Sequence, residues 1–319
     1  MLWQNGQSLN NGAYIVDRIL GRGRFSVTYL AREVRTNRYV AIKTLNPEAS
    51  MLQDLKPSER EEYATKFYNE ALKLAQCDHP YIVKVREIFA EKVQQGWFAN
   101  TRYPCIVMDY IDGVSLGQRG DPQLPPKIAL GYIQQIGSAL IAVHQRGLLH
   151  RDIKPGNIII RAGKQEAILI DFGLARSFDH PLTQQITVDG FAPFELYSHQ
   201  EPKGPWTDVY SLAATLYVLL TGKNPESALD RHDTDSEVHL TPPCLHNPKI
   251  SKKVNQAIVH AMALIPGDRT QSIPEFLREL GIGGLSGRFP QWEALPMWMQ
   301  IAGSIATIVG GIATLIALF

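Results

Sequence analysis

The chain has 319 residues, enough for one large two-lobed domain or two ordinary ones. Its 32 Lys+Arg against 31 Asp+Glu leave a net charge of +1, which argues against nucleic acid as a main partner. Three widely spaced cysteines, Cys77, Cys105 and Cys244, give no disulfide framework and fit a reducing compartment.

Residues 1–13 are polar and turn-rich, unlike a signal peptide, and read as a lead-in. Tyr14 to Leu20 is strand-like and runs into Gly21-Arg22-Gly23-Arg24-Phe25-Ser26-Val27-Thr28, where glycines would let backbone come close to a ligand. Val40 to Lys43 is an apolar strand ending in a lysine, which is costly to bury without a partner. Ser58 to Ala75 has a helical pattern and stops before His79-Pro80. Tyr81 to Ala90 and Cys105 to Tyr110 read as strands, with Gln94 to Pro104 a loop between them. Asp112-Gly113 makes a turn, and Pro125 to Arg146 is a long helix ending before Gly147. In Leu148 to Gly173, two short turns carry Asp152, Lys154, Asn157 and Asp171 around the apolar runs Ile158 to Ile160 and Ile168 to Ile170. Two acids and an amide held together by a hairpin suit a hard cation such as Mg²⁺, and a lone acid beside them can orient a hydroxyl nucleophile.

Further on, Lys223 to Ile250 reads as an irregular insert. It holds His232, His239, Cys244 and His246, whose order fits no zinc spacing, so a surface loop is expected. Ser251 to Leu264 and Ile273 to Leu280 close the domain as helices, followed by a Gly-rich exit from Gly281 to Gly287. Met297 to Phe319 contains no charged residue, with Trp292 and Trp298 at its near end. As a helix it would span about 34 Å, enough for a bilayer core.

His150-Arg151-Asp152, Lys154 and Asn157, with Asp171-Phe172-Gly173 beginning 14 residues after the Asn, resemble the catalytic and metal-binding loops of the eukaryotic-type, or Hanks-type, protein kinases. The glycine-rich stretch and Val40-Ala41-Ile42-Lys43 extend the resemblance over about residues 14 to 280, and the wording of the glycine loop, of Met108-Asp109-Tyr110-Ile111 and of Ala261 to Leu280 is most similar to bacterial members, particularly cyanobacterial ones. The resemblance implies an α+β, bilobal fold: a small antiparallel sheet lobe with one main helix (14–110) and a larger, mostly helical lobe (111–281). A juxtamembrane linker (282–296) and a transmembrane helix (297–319) would follow.

It also implies ATP with Mg²⁺, or Mn²⁺ in its place, as cofactors. Leu20, Gly21, Gly23, Ser26, Thr28, Ala41, Met108, Asp109, Ile111 and Ile159 would line the nucleotide, with Met108 bordering adenine and backbone groups of Asp109 and Ile111 pairing with it. Lys43 would hold the α- and β-phosphates and Glu70 would hold Lys43. Asp152 would take or orient the substrate hydroxyl proton, Lys154 would stabilise the transferred phosphoryl group, and Asn157 and Asp171 would bind metal. Lys154, two residues after the Asp, is the serine/threonine form of the loop. Leu174 to Phe194 would be the activation segment, with Thr183 and Thr187 as candidate phosphosites. Glu195 would pair with Arg269, and Asp208 would brace the catalytic loop. Ser26, Thr28 and Phe194 depart from the family pattern without removing a catalytic group. A binding-only scaffold and a small-molecule phosphotransferase are the competing readings.

A membrane-anchored Ser/Thr protein kinase is therefore expected. It would be single-pass at the C-terminus with the catalytic domain cytoplasmic, act on protein substrates, and have lipid contacts through 297–319 and no nucleic-acid partner. With the span ending at Phe319, no sensor domain is expected beyond it. Gly303, Ala306, Gly310, Ala313 and Ala317 form a small-residue stripe suited to pairing two copies and to autophosphorylation in trans.

Overall fold

The computed structural model describes residues 2–23, 26–46, 48–49, 56–92, 102–121, 123–171, 190–198, 200–233 and 237–282, apart from the side chains of Pro57 and Glu70. Phe172, Gly173, the segment with Ser177, Thr183 and Thr187, and the apolar stretch 297–319 lie outside them. Among the described residues no helix is long and apolar enough to cross a membrane. The chain forms two compact units, Met1–Asp78 with Lys84–Tyr110, and His79–Val83 with Ile111–Leu285.

Period-two burial builds the first unit. Along β3 (Ser26–Glu33), Val27, Tyr29 and Ala31 face one buried cluster. The antiparallel sheet has the order β1-β2-β3-β4-β6-β5: β1 (Ser8–Leu9), β2 (Tyr14–Arg22), β3, β4 (Arg38–Leu45), β5 (Val85–Lys92) and β6 (Arg102–Asp109). It curls until its two edges meet through side chains. The Asn10 N–H donates to Glu91 at 2.7 Å, its amide to Glu87 at 3.1 Å, and Tyr14 stacks on Phe89 at 5.8 Å. Helix α1 (Pro57–Ala75) packs on β5 and β6 through Tyr63, Phe67, Ala71 and Leu74, a stripe at helical spacing.

Three expectations are corrected here. The lead-in is not free of structure: β1 forms within it, and Leu9 is buried at 1% exposure. The strand read from Tyr81 begins only at Val85. Instead, Val83 N–H donates to the Leu169 carbonyl and Leu169 N–H to that of Tyr81, both at 2.9 Å, within the second unit. Arg102–Pro104, read as loop, belong to β6. Pro104 is tolerated because the β4–β6 ladder reaches only Cys105, and the Pro104 carbonyl takes the Thr44 hydroxyl at 2.9 Å.

The second unit is mainly helical. Its three-stranded sheet has the order β7 (Gly113–Ser115), β8 (Ile158–Arg161) and β9 (Ala167–Leu169). Helix α2 (Pro126–His144) buries Ile133, Ile136, Leu140 and Val143 on one stripe, and α3 (Pro205–Thr221) is buried on almost every side, the central post of the core. The insert is more ordered than expected: α4 (Ala228–His232) and α5 (Pro243–His246) are too short to show periodicity in sequence. Glu226 organises it by accepting the Thr241 N–H at 3.0 Å and hydroxyl at 2.6 Å. Helix α6 (Lys252–Ala261) stops short of Leu264, since the residue before Pro266 is held extended. Helix α7 (Ile273–Leu280) has the expected bounds.

Candidate active site

The candidate catalytic loop, residues 150–157, is held from beneath by α3. Asp208, in its first turn, is fully buried. It accepts the backbone N–H groups of His150 and Arg151, each at 2.8 Å, and faces His144 Nε2 at 2.7 Å. Burial alone would raise its pKa, but the His144 hydrogen bond and charge, with help from His150, hold the carboxyl below the usual carboxylate range. The loop needs this hold because Arg151 sits at φ 63°, a left-handed conformation that costs a side-chain-bearing residue about 1–3 kcal/mol.

From that fixed base the candidate site residues are bonded to one another. The Asp152 N–H donates to His150 Nδ1 at 3.2 Å. Asn157 directs its amide nitrogen at Asp152, 2.7 Å from the carbonyl and 2.8 Å from Oδ2. That leaves the Asn157 amide oxygen as the end able to meet a cation. Lys154 Nζ lies 3.2 Å from Asp152 Oδ1, with both side chains partly accessible. The Ile170 N–H donates to the Asn157 carbonyl at 3.0 Å, so Asn157 precedes β8 and Asp171 follows β9 at the same end of that pair. Asp152, Lys154, Asn157 and Asp171 thus come from two turns joined by one backbone bond. Ile159 lies on β8 opposite Ser115 and Ile168.

The first unit carries the other set. Thr28 lies opposite Gly21 on one side and Lys43 on the other, and Ala41 lies opposite Met108. Thr28, Ala41 and Lys43 therefore share the sheet face opposite to the Tyr29 cluster. Lys43 is only 5% exposed and Met108 is buried, whereas Leu20 is exposed. The Gly23 N–H donates to the Ser26 carbonyl at 2.8 Å, which closes the glycine-rich hairpin at its described end. Glu70 lies on α1, but its pairing with Lys43 concerns a side chain outside the described ones. Asp109 is narrower in use than expected. Its N–H is taken by the Lys84 carbonyl at 2.9 Å and its carboxylate by Arg86, so its carbonyl alone remains for a ligand. Ile111 is buried and belongs to the second unit.

Glu195 and Arg269 form a two-pronged ion pair, 2.7 and 3.3 Å, with both side chains at 0% exposure. Burying two charges is costly unless every donor is matched. Here Arg269 also donates to the carbonyls of Ala263, Leu264 and Trp206, and Thr207 donates to Glu195 at 3.0 Å. Phe194, where the family pattern has Pro, stacks its ring on His232 at 3.7 Å. His246 faces Lys223 at 3.3 Å, and among the described residues no group of three or more His, Cys, Asp or Glu is placed to hold a metal ion. His144 was missed by sequence reasoning; a lone His at a helix end carries no signal of its partner 64 positions away.

The protein kinase domain profile matches residues 14–278. A Mycobacterium leprae serine/threonine-protein kinase, PknB, is 32% identical over 281 residues, covering 84% of this chain and 42% of the relative. The chain thus spans less than half the length of the curated relatives it matches. Among solved structures, the apo form of PpkA-294 superposes with a TM-score of 0.68 at 28% identity, covering 88% of this chain and 99% of that one. The M. tuberculosis PknI kinase domain does so with a TM-score of 0.65 at 26% identity, covering 88% and 100%.

Proposed function

This chain belongs to the protein kinase family, and on that premise we propose that it transfers the γ-phosphoryl group of ATP to serine and threonine hydroxyls of protein substrates. The observation that carries the reading is the bonded set Asp152, Lys154 and Asn157, with Asp171 tied in through Ile170. Asp152 has one oxygen held by Asn157 and the other beside Lys154, so its carboxylate is oriented before a substrate hydroxyl arrives, and it accepts or directs that proton. Lys154 lies within reach of the same oxygen and is placed to offset charge on the moving phosphoryl group. Lys43, on its buried strand, engages the α- and β-phosphates, with Glu70 as its partner. Leu20, Gly21, Gly23, Ser26, Thr28, Ala41, Met108, Ile111 and Ile159, with the Asp109 carbonyl, bind the rest of the nucleotide.

The donor set fits a divalent cation: an amide oxygen from Asn157 and a carboxylate from Asp171 are hard ligands, suited to Mg²⁺ or Mn²⁺. When bound, such an ion neutralises phosphate charge. The serine/threonine preference rests on Lys154. The kinase domain is assigned to 14–281, with 282–296 a linker and 297–319 a membrane anchor that keeps the domain at the cytoplasmic face. Pairing through the Gly303–Ala317 stripe would favour autophosphorylation at Thr183 or Thr187. The wording of the glycine loop, the hinge and residues 261–280 supports a bacterial kinase of cyanobacterial type.

The test is transfer from labelled ATP with Mg²⁺ by the full chain, with Asp171→Asn as control, followed by phosphosite mapping. Label on Ser or Thr in the unmodified chain, reduced roughly 10²-fold or more in the variant, is expected. ATP binding without any transfer would instead favour a binding scaffold.

A further inference from the structure

The described part of the glycine-rich hairpin is exposed at Gly21, Arg22 and Gly23 and is held by its ladder and by the Asn46 amide, which donates to the Gly23 carbonyl at 3.1 Å. A Cβ at Gly21 would meet nothing within 4 Å, and the β2–β3 ladder is irregular between Val16 and Arg18 and again between Ile19 and Gly21. What lies against its root is the N-terminal segment. The Gly6 N–H donates to the Val16 carbonyl at 2.8 Å, Val16 N–H to that of Gln7 at 2.9 Å, and β1 continues the pairing at Ser8 and Leu9. Ahead of β1, the Trp3 ring lies 4.9 Å from that of Tyr29, and the Trp3 backbone N–H donates to the Tyr29 hydroxyl at 3.2 Å. Leu2, Trp3 and Ile19 pack against the cluster that contains Val27 and Tyr29. Tyr29 pairs with Ile19 on one side and Ile42 on the other, so it sits directly behind Thr28 and Lys43. At the other end of the segment, Asn10 is fastened to Glu87 and Glu91 on the far edge strand.

We propose that the N-terminal segment is a tether that fixes the root of the glycine-rich hairpin, which makes Trp3 and Tyr29 positioning residues for the phosphates of ATP. The inference rests on the nucleotide-binding role given above to Gly21, Gly23, Thr28 and Lys43. Neither aromatic touches the nucleotide. Each acts through the strand that carries Thr28, so loss of the tether weakens the grip on phosphate and leaves adenine recognition, which involves Met108 and the Asp109 carbonyl, in place.

The experiment is calorimetric binding of Mg·ATP and, separately, of adenosine to the full chain. Trp3→Ala is expected to raise the Kd for Mg·ATP about three- to tenfold, the range an aromatic pair supports. The Kd for adenosine should stay within about twofold, and Trp3→Phe should restore ATP affinity. Should Trp3→Ala fail to fold, Tyr29→Phe removes one oxygen only and should weaken Mg·ATP about twofold, again without affecting adenosine. A merely structural segment would shift both ligands alike. Equal weakening of the two, or no change in a folded variant, overturns the tether. An unmodified chain that binds neither ligand overturns the proposed function itself.

Discussion

The two units hold their chemistry-bearing residues by different means. In the second, Asp208, Glu195 and Arg269 are buried, and each is matched by several partners, so the loop of Asp152 rests on a polar frame. In the first, the glycine-rich hairpin rests on apolar packing and a backbone ladder, with exposed side chains toward its end. A buried polar network has few alternative arrangements, because breaking one bond strands a charge. An apolar face can slide a little at small cost. The difference suits the proposed tasks: an acid that orients a hydroxyl needs its geometry fixed beforehand, while a hairpin that meets phosphates must adjust to them.

The largest effect should come from Arg269→Met, which leaves Glu195 charged and buried without its cation, with only the Thr207 hydroxyl still donating to it among the described residues. Urea denaturation should show a loss of about 3–5 kcal/mol. The matching cut in the first unit, Arg18→Met, breaks an exposed pair with Asp17 and should change stability by less than about 0.5 kcal/mol. Similar losses in both would erase the contrast.

Asp208→Asn should come next, costing about 2–3 kcal/mol at neutral pH, since the amide keeps the shape but loses charge toward His144 and one acceptor. Acid sharpens this. The folded-state pKa of Asp208 is lowered from 3.8, so the unfolded chain binds the proton more readily. The carboxylate's contribution is therefore complete above 3.8 and is lost as the pH falls from there through the lowered folded value. The unmodified chain should lose stability across that window more steeply than Asp208→Asn; equal slopes would mean that other acids carry the acid sensitivity.

Legibility in sequence follows the same division. The residue types and order of Asp152 to Asn157, Asp171, Glu195, Arg269 and Asp208 carried a family resemblance, and it was that resemblance, not local pattern, that implied the Glu195–Arg269 pair and the Asp208 brace now seen in the structure. Helix α7 was readable in full because Ser272 caps it and Gly281 ends it in a left-handed turn. The tether was not: Trp3 and Leu9 stand among polar, turn-forming residues, and what they bury against is a sheet face assembled from five other strands. Tyr81 to Val83 looked like strand because the run is apolar, yet local pattern cannot say which unit will bond it. The insert carried one usable sign, Ser227 three residues before Asp230, and the Ser227 hydroxyl does accept the Asp230 N–H at 3.1 Å to start α4.

The finest test puts one substitution, Gly→Ala, into both regions. At Gly113 a Cβ would come within 2.1 Å of the Ile160 carbonyl oxygen and 2.8 Å of the Ile159 side chain, so backbone must shift. Gly113→Ala should cost about 1–3 kcal/mol, read as a lower denaturation midpoint. At Gly21 the Cβ has open space and the backbone has no positive φ, so Gly21→Ala should leave stability within about 0.5 kcal/mol. A glycine that the free fold does not require is explained if backbone there must come close to something the free fold lacks. Gly21→Ala should then melt like the unmodified chain and yet bind Mg·ATP more weakly than it does. If the variant melted normally and bound Mg·ATP without loss, Gly21 would have no role in phosphate recognition, and the first unit's softness would need a reason other than ligand closure.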